Sequence, residues 1–500
     1  MGIVRKQSFI SSIFIYLGFA IGALNTAYFF PKFFTTEQLG LTKLLVEIAA
    51  ILATFCTLGS ATATVKFFPF YKSYLPAKKN DLPFITLLSC IIGCVLFLCL
   101  LPFLKDFIIR KFSRNSSLFV EHFLLLVPLT LSYTFWMLFE SIEWCLQHTV
   151  LTNFLKEVGF RLMTLLFISV FLLGWVTFNQ FMILYSCLYI IPVLILLVHL
   201  YKQHYFNFSF KLSKVTQRLW KFILTFSLFI FSGQMLALLA RTSDTILISS
   251  KSSNGLADTA VFTIATFAIS VMEVPQRGMM GIAVSIITFA WKDKDMAKIE
   301  EMYKKTALTL TILGLAIGCC IYLNAANLVA FFGKSYALLP SLLLILSIAK
   351  LIDLGTGLNS QILLSSKHWK IDFGTNMFLV VLSIFLNYFL IEKYGVIGSA
   401  YANLIAMITY NLIRLLFIWK LFGMLPYDAK SLLPLLIGGV AFAIAYWIPH
   451  FNNYFIDGIL RTTAFLLIYV TAILSLNVSK DINDLYKLML GRIGLTKNIK

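Results

Sequence analysis

From Ser8 almost to the C-terminus the chain is a succession of apolar runs, most about 20 residues long, separated by short polar punctuation. Twenty residues of α-helix span about 30 Å, the hydrocarbon thickness of a bilayer. Backbone in lipid must satisfy its own hydrogen bonds, which leaves helices and closed barrels. A barrel alternates apolar and polar residues over short segments, and these runs are continuous, so the expected fold class is an all-α polytopic membrane protein. Composition agrees. Of 500 residues, 59% are hydrophobic and 13% charged, against about 25% charged in soluble domains, and mean hydropathy is +0.87.

Apolar length and the Pro, Gly and charge breaks place fourteen transmembrane helices, at 8–30, 41–65, 84–104, 119–145, 157–173, 180–200, 222–248, 258–287, 306–324, 338–358, 371–390, 397–419, 432–448 and 457–477. An even number puts both termini on one side. Of the 41 lysines and arginines, 26 fall on that side, 8 on the other and 7 inside spans, so the positive-inside rule makes both termini cytoplasmic. The net charge of +19 is thereby assigned to a bilayer and not to nucleic acid. One connection, 105–117 with Lys105, Arg110, Lys111 and Arg114, runs against the trend. The basic start MGIVRKQ precedes a run too long, and without the small-x-small site, for a cleaved signal peptide, so a retained first span is expected. Lys6 stands where a myristoylation motif needs Ser or Thr.

The basic segment 201–221 reads as a cytoplasmic linker between an N-terminal six-helix half, 1–200, and a C-terminal six-helix half, 222–419. Two additional transmembrane helices occupy 432–477 and a cytoplasmic tail 478–500. FFTTEQLGLTKLL between spans one and two parallels SSKSSNGLADTAVF between spans seven and eight, and pseudo-symmetric halves around a central site are a common transporter plan. The connections leave no room for a soluble catalytic domain, so function is expected inside the bundle.

Charges inside spans are the informative residues, because each costs about 2.5–3.5 kcal/mol on insertion and therefore faces a partner or a cavity. Lys43 and Glu47, Glu157 and Arg161, Glu273 and Arg277, and Asp457 and Arg461 are four apart; Arg241 and Asp244, and Lys350 and Asp353, are three apart. Both spacings put the two side chains on one helical face. Lys43, Asp457 and Arg461 lie near predicted span ends and are read as snorkelling to water. Arg241, Asp244, Glu273 and Arg277 lie deeper and are read evenly as structural pairs or as ligand contacts. Glu140 and Glu143 in WMLFESIEWC share a face with no cation on their helix, which suits a proton-coupled carrier if they are buried together; the favoured alternative is an interfacial segment anchored by Trp136 and Trp144. Arg414 has no acid within reach on its own helix and is assigned a glutamate elsewhere in the bundle. These named groups put seven cations against eight acids, so counting alone gives no net positive cavity.

Signals for enzymes, cofactors and metals are poor. FFGKSY ends like a phosphate-binding loop, but Leu328 breaks the required G-x-x-x-x-G-K-S pattern. The six histidines are dispersed, so no metal set is expected. The cysteines (Cys56, Cys90, Cys94, Cys99, Cys145, Cys187, Cys319 and Cys320) lie in apolar runs without a C-x-x-C pair and read as packing residues. GFAIG in span one and GLAIG in span nine have the spacing of close helix contacts.

Several stretches resemble a known family. LGSATATVKFFPFY closes span two as in bacterial polysaccharide flippases, with Lys66 where arginine is common; the segment from Asp244 is similar to that family's D-x-x-x-L-G helix, with Ser249 and Ser250 in the glycine region. KLIDLGTGLNSQILLSSKHWKIDFGTN, LNYFLIEKYGVIGSAYANLIA and YNLIRLLFIWK are closer still. The chain thus resembles the oligosaccharide flippases of the multidrug, oligosaccharidyl-lipid and polysaccharide (MOP) exporter superfamily over essentially its whole length. The resemblance implies two six-helix bundles plus two helices in a bacterial inner membrane, moving an undecaprenyl-diphosphate-linked oligosaccharide to the outer leaflet by alternating access. Such a lipid-linked sugar is a precursor of O-antigen or another surface polysaccharide, and a polymerase and chain-length machinery are expected partners. Arg241, Arg277, Lys350, Arg161 and Arg414 are the candidates for headgroup contacts, since arginine holds phosphate bidentately. Asp244, Glu273, Asp353, Glu47, Glu140 and Glu143 are the candidates for ion coupling. A cation-coupled small-molecule exporter of the same fold is the alternative, and a membrane glycan polymerase or ligase, which needs a large outer loop, is a more distant one.

Overall fold

The computed structural model describes residues 2–76, 80–203, 212–479 and 482–484. The described residues are helical with no strand, and twelve helices among them are long and apolar enough to cross a membrane. The two remaining anticipated spans are shorter. Span 157–173 is helix Phe160–Leu172, prolonged upstream by a π-turn at Leu155–Gly159 and helix Thr149–Phe154. Span 432–448 is helix Leu433–Tyr446, of 14 residues.

Three expected boundaries move. The basic connection 105–117 is mostly helix, because Leu82–Phe112 runs for 31 residues, about 46 Å at 1.5 Å per residue. Lysine and arginine are good helix formers, so Lys105, Arg110 and Lys111 extend the helix beyond its apolar part. Span 41–65 divides at Leu58 and Gly59, both left-handed, with φ 49° and 75°. Gly59 is also crowded: a Cβ there would stand 2.3 Å from the Ser227 carbonyl oxygen. Span 258–287 breaks at a 3-10 turn, Val271–Glu273, after which Pro275 opens the helix Val274–Asp293.

The chain forms two compact units, Met1–Ala260 and Val261–Lys500. In the first, helix Thr36–Thr57 starts from a reciprocal cap between Thr35 and Gln38 and packs against Leu126–Cys145, Leu82–Phe112 and the 38-residue helix Lys214–Lys251. That long helix begins inside the expected linker. Buried Asp81 fixes its start, accepting hydrogen bonds from Ser213 N and Thr216 Oγ1, both at 2.8 Å, where an anion also favours the helix dipole. The two repeat-like stretches touch: a Cβ on Gly40 would lie 1.9 Å from the Leu256 carbonyl oxygen. The outer face of Leu82–Phe112 carries exposed Ile91, Ile92, Val95, Leu96 and Phe103, as a lipid-facing helix must.

In the second unit, Trp369–Tyr394 and Val396–Phe422 form a tight hairpin through Gly395, and Leu339–Gly355 packs on its second arm. Met296–Leu323 lies against Leu339–Gly355 and also carries Leu433–Tyr446 and Tyr454–Ser475. The last two helices are seated by a core of Ile312, Leu323, Ala441, Ala445, Phe465 and Tyr469 and by a bond from Tyr469 OH to the Ile312 carbonyl, 3.2 Å.

Candidate functional site

Four of the candidate residues converge in the second unit. The 3-10 turn interrupts the helical run at Glu273, so its carboxylate leaves the helix surface where Leu339–Gly355 passes. Glu273 Oε1 lies 2.9 Å from Lys350 Nζ, and Oε2 lies 2.7 Å from Arg277 Nη2. Lys350 Nζ reaches Asp353 Oδ2 at 2.9 Å. The result is a chain of alternating charge, Arg277, Glu273, Lys350 and Asp353, on two helices. It borders a cavity of about 150 Å³ lined also by Thr266, Ser270 and Asn403. At about 30 Å³ per water, that space suits a few waters or a small cation. Lys350 is mostly shielded, with 15% of its side chain exposed, whereas Arg277 is 67% exposed. An interrupted helix beside a cavity is a recurrent arrangement for ion sites in transporters.

The other candidates stand apart from this cluster. Arg414 is buried, with its guanidinium carbon 4.1 Å from the Tyr410 ring centroid. It donates through Nη2 to Asp372 and through Nε to Thr375 Oγ1 at 3.0 Å. Its acid is thus an aspartate on the adjacent helix, not a glutamate, and Asp372 is further held by Ser360 at 2.8 Å and Asn376 at 3.1 Å. Asp457 and Arg461 do not snorkel to water. They are among the most buried charges, at 0% and 1% exposure, and bond at 2.8 Å. Arg461 also donates to the carbonyls of Ala445, Tyr446 and Ile448, satisfying the open end of helix Leu433–Tyr446.

In the first unit, Lys43 and Glu47 bond at 2.7 Å with Lys43 partly exposed, and Glu47 Oε2 has no hydrogen-bond partner among the described residues. Arg161 Nη1 meets Glu157 Oε2 at 2.8 Å. The pair lies under GFAIG: a Cβ on Gly18 would stand 2.2 Å from the Glu157 carbonyl oxygen, and one on Gly22 2.9 Å from Arg161 Nε. Those glycines therefore serve close packing, as do Gly314 and Gly318 of GLAIG, which face Leu354 and Met272. Arg241 is exposed on helix Lys214–Lys251, and Asp244 is half-buried. Glu140 and Glu143 are both buried but do not form a carboxylate pair. Glu140 meets Lys156 at 3.0 Å, and Glu143 meets His148 and His199. Trp136 is buried against Phe160, 4.8 Å between centroids, and Trp144 is exposed, so of the two expected anchors only Trp144 is placed to act as one.

Sequence reasoning missed Asp372, His148 and His199. Asp372 was legible as an acid at the first turn of a span; the histidines, 51 positions apart by number, carried no local signal.

No protein-family model matches the chain, and no curated protein matches it in sequence. Solved structures do match in fold. The lipid II flippase MurJ, in an inward closed conformation, superposes with a TM-score of 0.73 at 14% identity, over 93% of this chain and 98% of that one. An inward-facing multidrug resistance MATE family transporter of the MOP superfamily gives 0.65 at 16% identity, over 81% and 94%. A MOP superfamily transporter from Pyrococcus furiosus gives 0.52 at 14% identity, over 83% and 94%. This multi-pass membrane chain has the fold of the MOP superfamily, shared by the flippase MurJ and the MATE transporters.

Proposed function

We propose that the protein flips an undecaprenyl-diphosphate-linked oligosaccharide from the cytoplasmic to the outer leaflet of a bacterial inner membrane, with both termini cytoplasmic, for surface polysaccharide such as the O-antigen of lipopolysaccharide. One observation carries this reading. The likeness to the lipid II flippase takes in nearly all of both chains, whereas the MATE alignment leaves out about a fifth of this one. The motif resemblance to polysaccharide flippases, strongest from Asp244 to Lys420, supports it independently.

The cluster around Lys350 supplies a coupling scheme. With Glu273 and Asp353 both engaged, Lys350 is neutralised. A proton or small cation entering the 150 Å³ cavity competes for the same carboxylates and frees Lys350 and Arg277 to meet a diphosphate, as charge-assisted bonds to phosphate are strong. A differential interaction of this kind is what lets an ion gradient bias two states. The prenyl chain needs apolar surface, which a cavity of about 530 Å³ bordered by Leu308, Leu351, Ile352 and Leu435 offers. A polymerase and chain-length machinery would act on the product.

Deleting the gene tests the reading. Lipid-linked repeat units should accumulate on the cytoplasmic leaflet while surface glycan is lost, and the wild-type gene should restore both. Unchanged surface glycan, with raised sensitivity to small organic cations, would favour the second reading, a cation-coupled exporter, for which the balanced charges of the cluster speak.

A further inference from the structure

The C-terminal ends of two helices in the first unit carry a side-chain set that neither the fold likeness nor the proposed transport uses. Glu143 lies in the last turn of Leu126–Cys145 and is fully buried. The chain then turns through Gln147, a non-glycine residue at φ 65°, and the His148 amide returns to the Glu143 carbonyl at 3.0 Å. That turn lays the His148 ring over the Glu143 carboxylate. His199, in the last turns of Ile190–Lys202, comes from the neighbouring helix. His148 Nδ1 is 2.8 Å from Oε2 and His199 Nδ1 is 2.7 Å from Oε1, and the ring centroids are 5.0 Å apart.

We propose that Glu143, His148 and His199 form a binding site for a first-row divalent transition metal such as Zn²⁺. The three ligand atoms lie within 4.8 Å of one another. Bonds of about 2.0–2.2 Å in tetrahedral geometry place ligand atoms about 3.3 Å apart, so binding moves each imidazole about half an ångström from its carboxylate oxygen and draws together those ligand atoms that now lie further apart, within 4.8 Å. Two nitrogens and one carboxylate suit zinc and its neighbours, whereas Mg²⁺ and Ca²⁺ take oxygen sets. A fully buried carboxylate also demands compensating charge, which a bound dication supplies. The histidine side chains are about one-third exposed, which leaves an approach and a fourth position for water. Glu140 is not a further ligand, because Lys156 holds it at 3.0 Å. A bound ion would tie the ends of Leu126–Cys145 and Ile190–Lys202 to the turn at Gln147 and His148.

The test uses the full chain purified in detergent without a histidine tag, titrated with Co²⁺ and then Zn²⁺. One equivalent of Co²⁺ should bind with the visible d–d bands of a low-coordinate N/O site, and Zn²⁺ should displace it. H148A and H199A should each weaken binding by more than the about 10–100-fold typical of outer-shell changes, while H122A should leave it unchanged. H148Q and H199Q retain a donor to Glu143 and serve if the alanine variants do not fold; they too should lose the metal. Absence of stoichiometric binding by the wild type, or equal binding by the double glutamine variant, overturns the proposal.

Discussion

The buried arginines and the Lys350 cluster use the same chemistry to opposite ends. Arg461 and Arg414 have nearly every donor direction occupied by fixed neighbours: an aspartate plus three carbonyls for the first, an aspartate, a threonine and an aromatic face for the second. Neither borders one of the cavities described above. Lys350 is shared between two carboxylates beside a cavity of about 150 Å³, and its outer neighbour Arg277 is mostly exposed. Saturated, sealed charges hold helices in place. Charges with alternative partners and access to water can change partners, which transport requires.

Breaking the sealed side should cost most. R461A strands Asp457 without its cation, and loss of one partner of a buried pair costs about 3–5 kcal/mol; thermal unfolding in detergent should show a large drop, with D457A similar. G18A forces backbone apart at the Glu157 carbonyl and should cost about 1–3 kcal/mol by overpacking, read by the same assay. K350A should cost less, about 1.5 kcal/mol for its charge-assisted bonds, because the freed carboxylates border a cavity with room for water; glycan export measured by surface staining should nonetheless fall at least tenfold. R277A removes an exposed ion pair worth under about 1 kcal/mol. Its stability should be unchanged, so any loss of export in that variant reports on the headgroup and not on the fold. Equal stability costs for R461A and R277A would erase the distinction between the two regions.

Much of this was legible from residue order. Apolar run length located the membrane helices, and i,i+3 and i,i+4 spacing identified five ion contacts that form as expected: Lys43 with Glu47, Glu157 with Arg161, Glu273 with Arg277, Lys350 with Asp353 and Asp457 with Arg461. What spacing cannot report is environment. Asp457 and Arg461 look peripheral by distance from a span end, yet the helix Leu433–Tyr446 and its trailing carbonyls cover them. The link from Lys350 to Glu273 joins two helices and depends on a 3-10 turn whose only local sign is Pro275. Helix Leu82–Phe112 overran its expected end because charge stops a membrane span without stopping a helix. The partners of Glu140 and Glu143 were hidden because Lys156 and His199 come from other helices and His148 from the turn that follows.

The most direct measurement is translocation by the purified chain in proteoliposomes loaded with an undecaprenyl-diphosphate oligosaccharide on one leaflet, with an imposed ion gradient. The wild type should flip the lipid in a gradient-dependent way, K350A should lose nearly all of that activity, and a variant of equal stability altered away from the cluster, such as H122A, should retain it. Translocation by K350A at the wild-type rate, or no translocation of the lipid-linked sugar by a folded wild type, would contradict it.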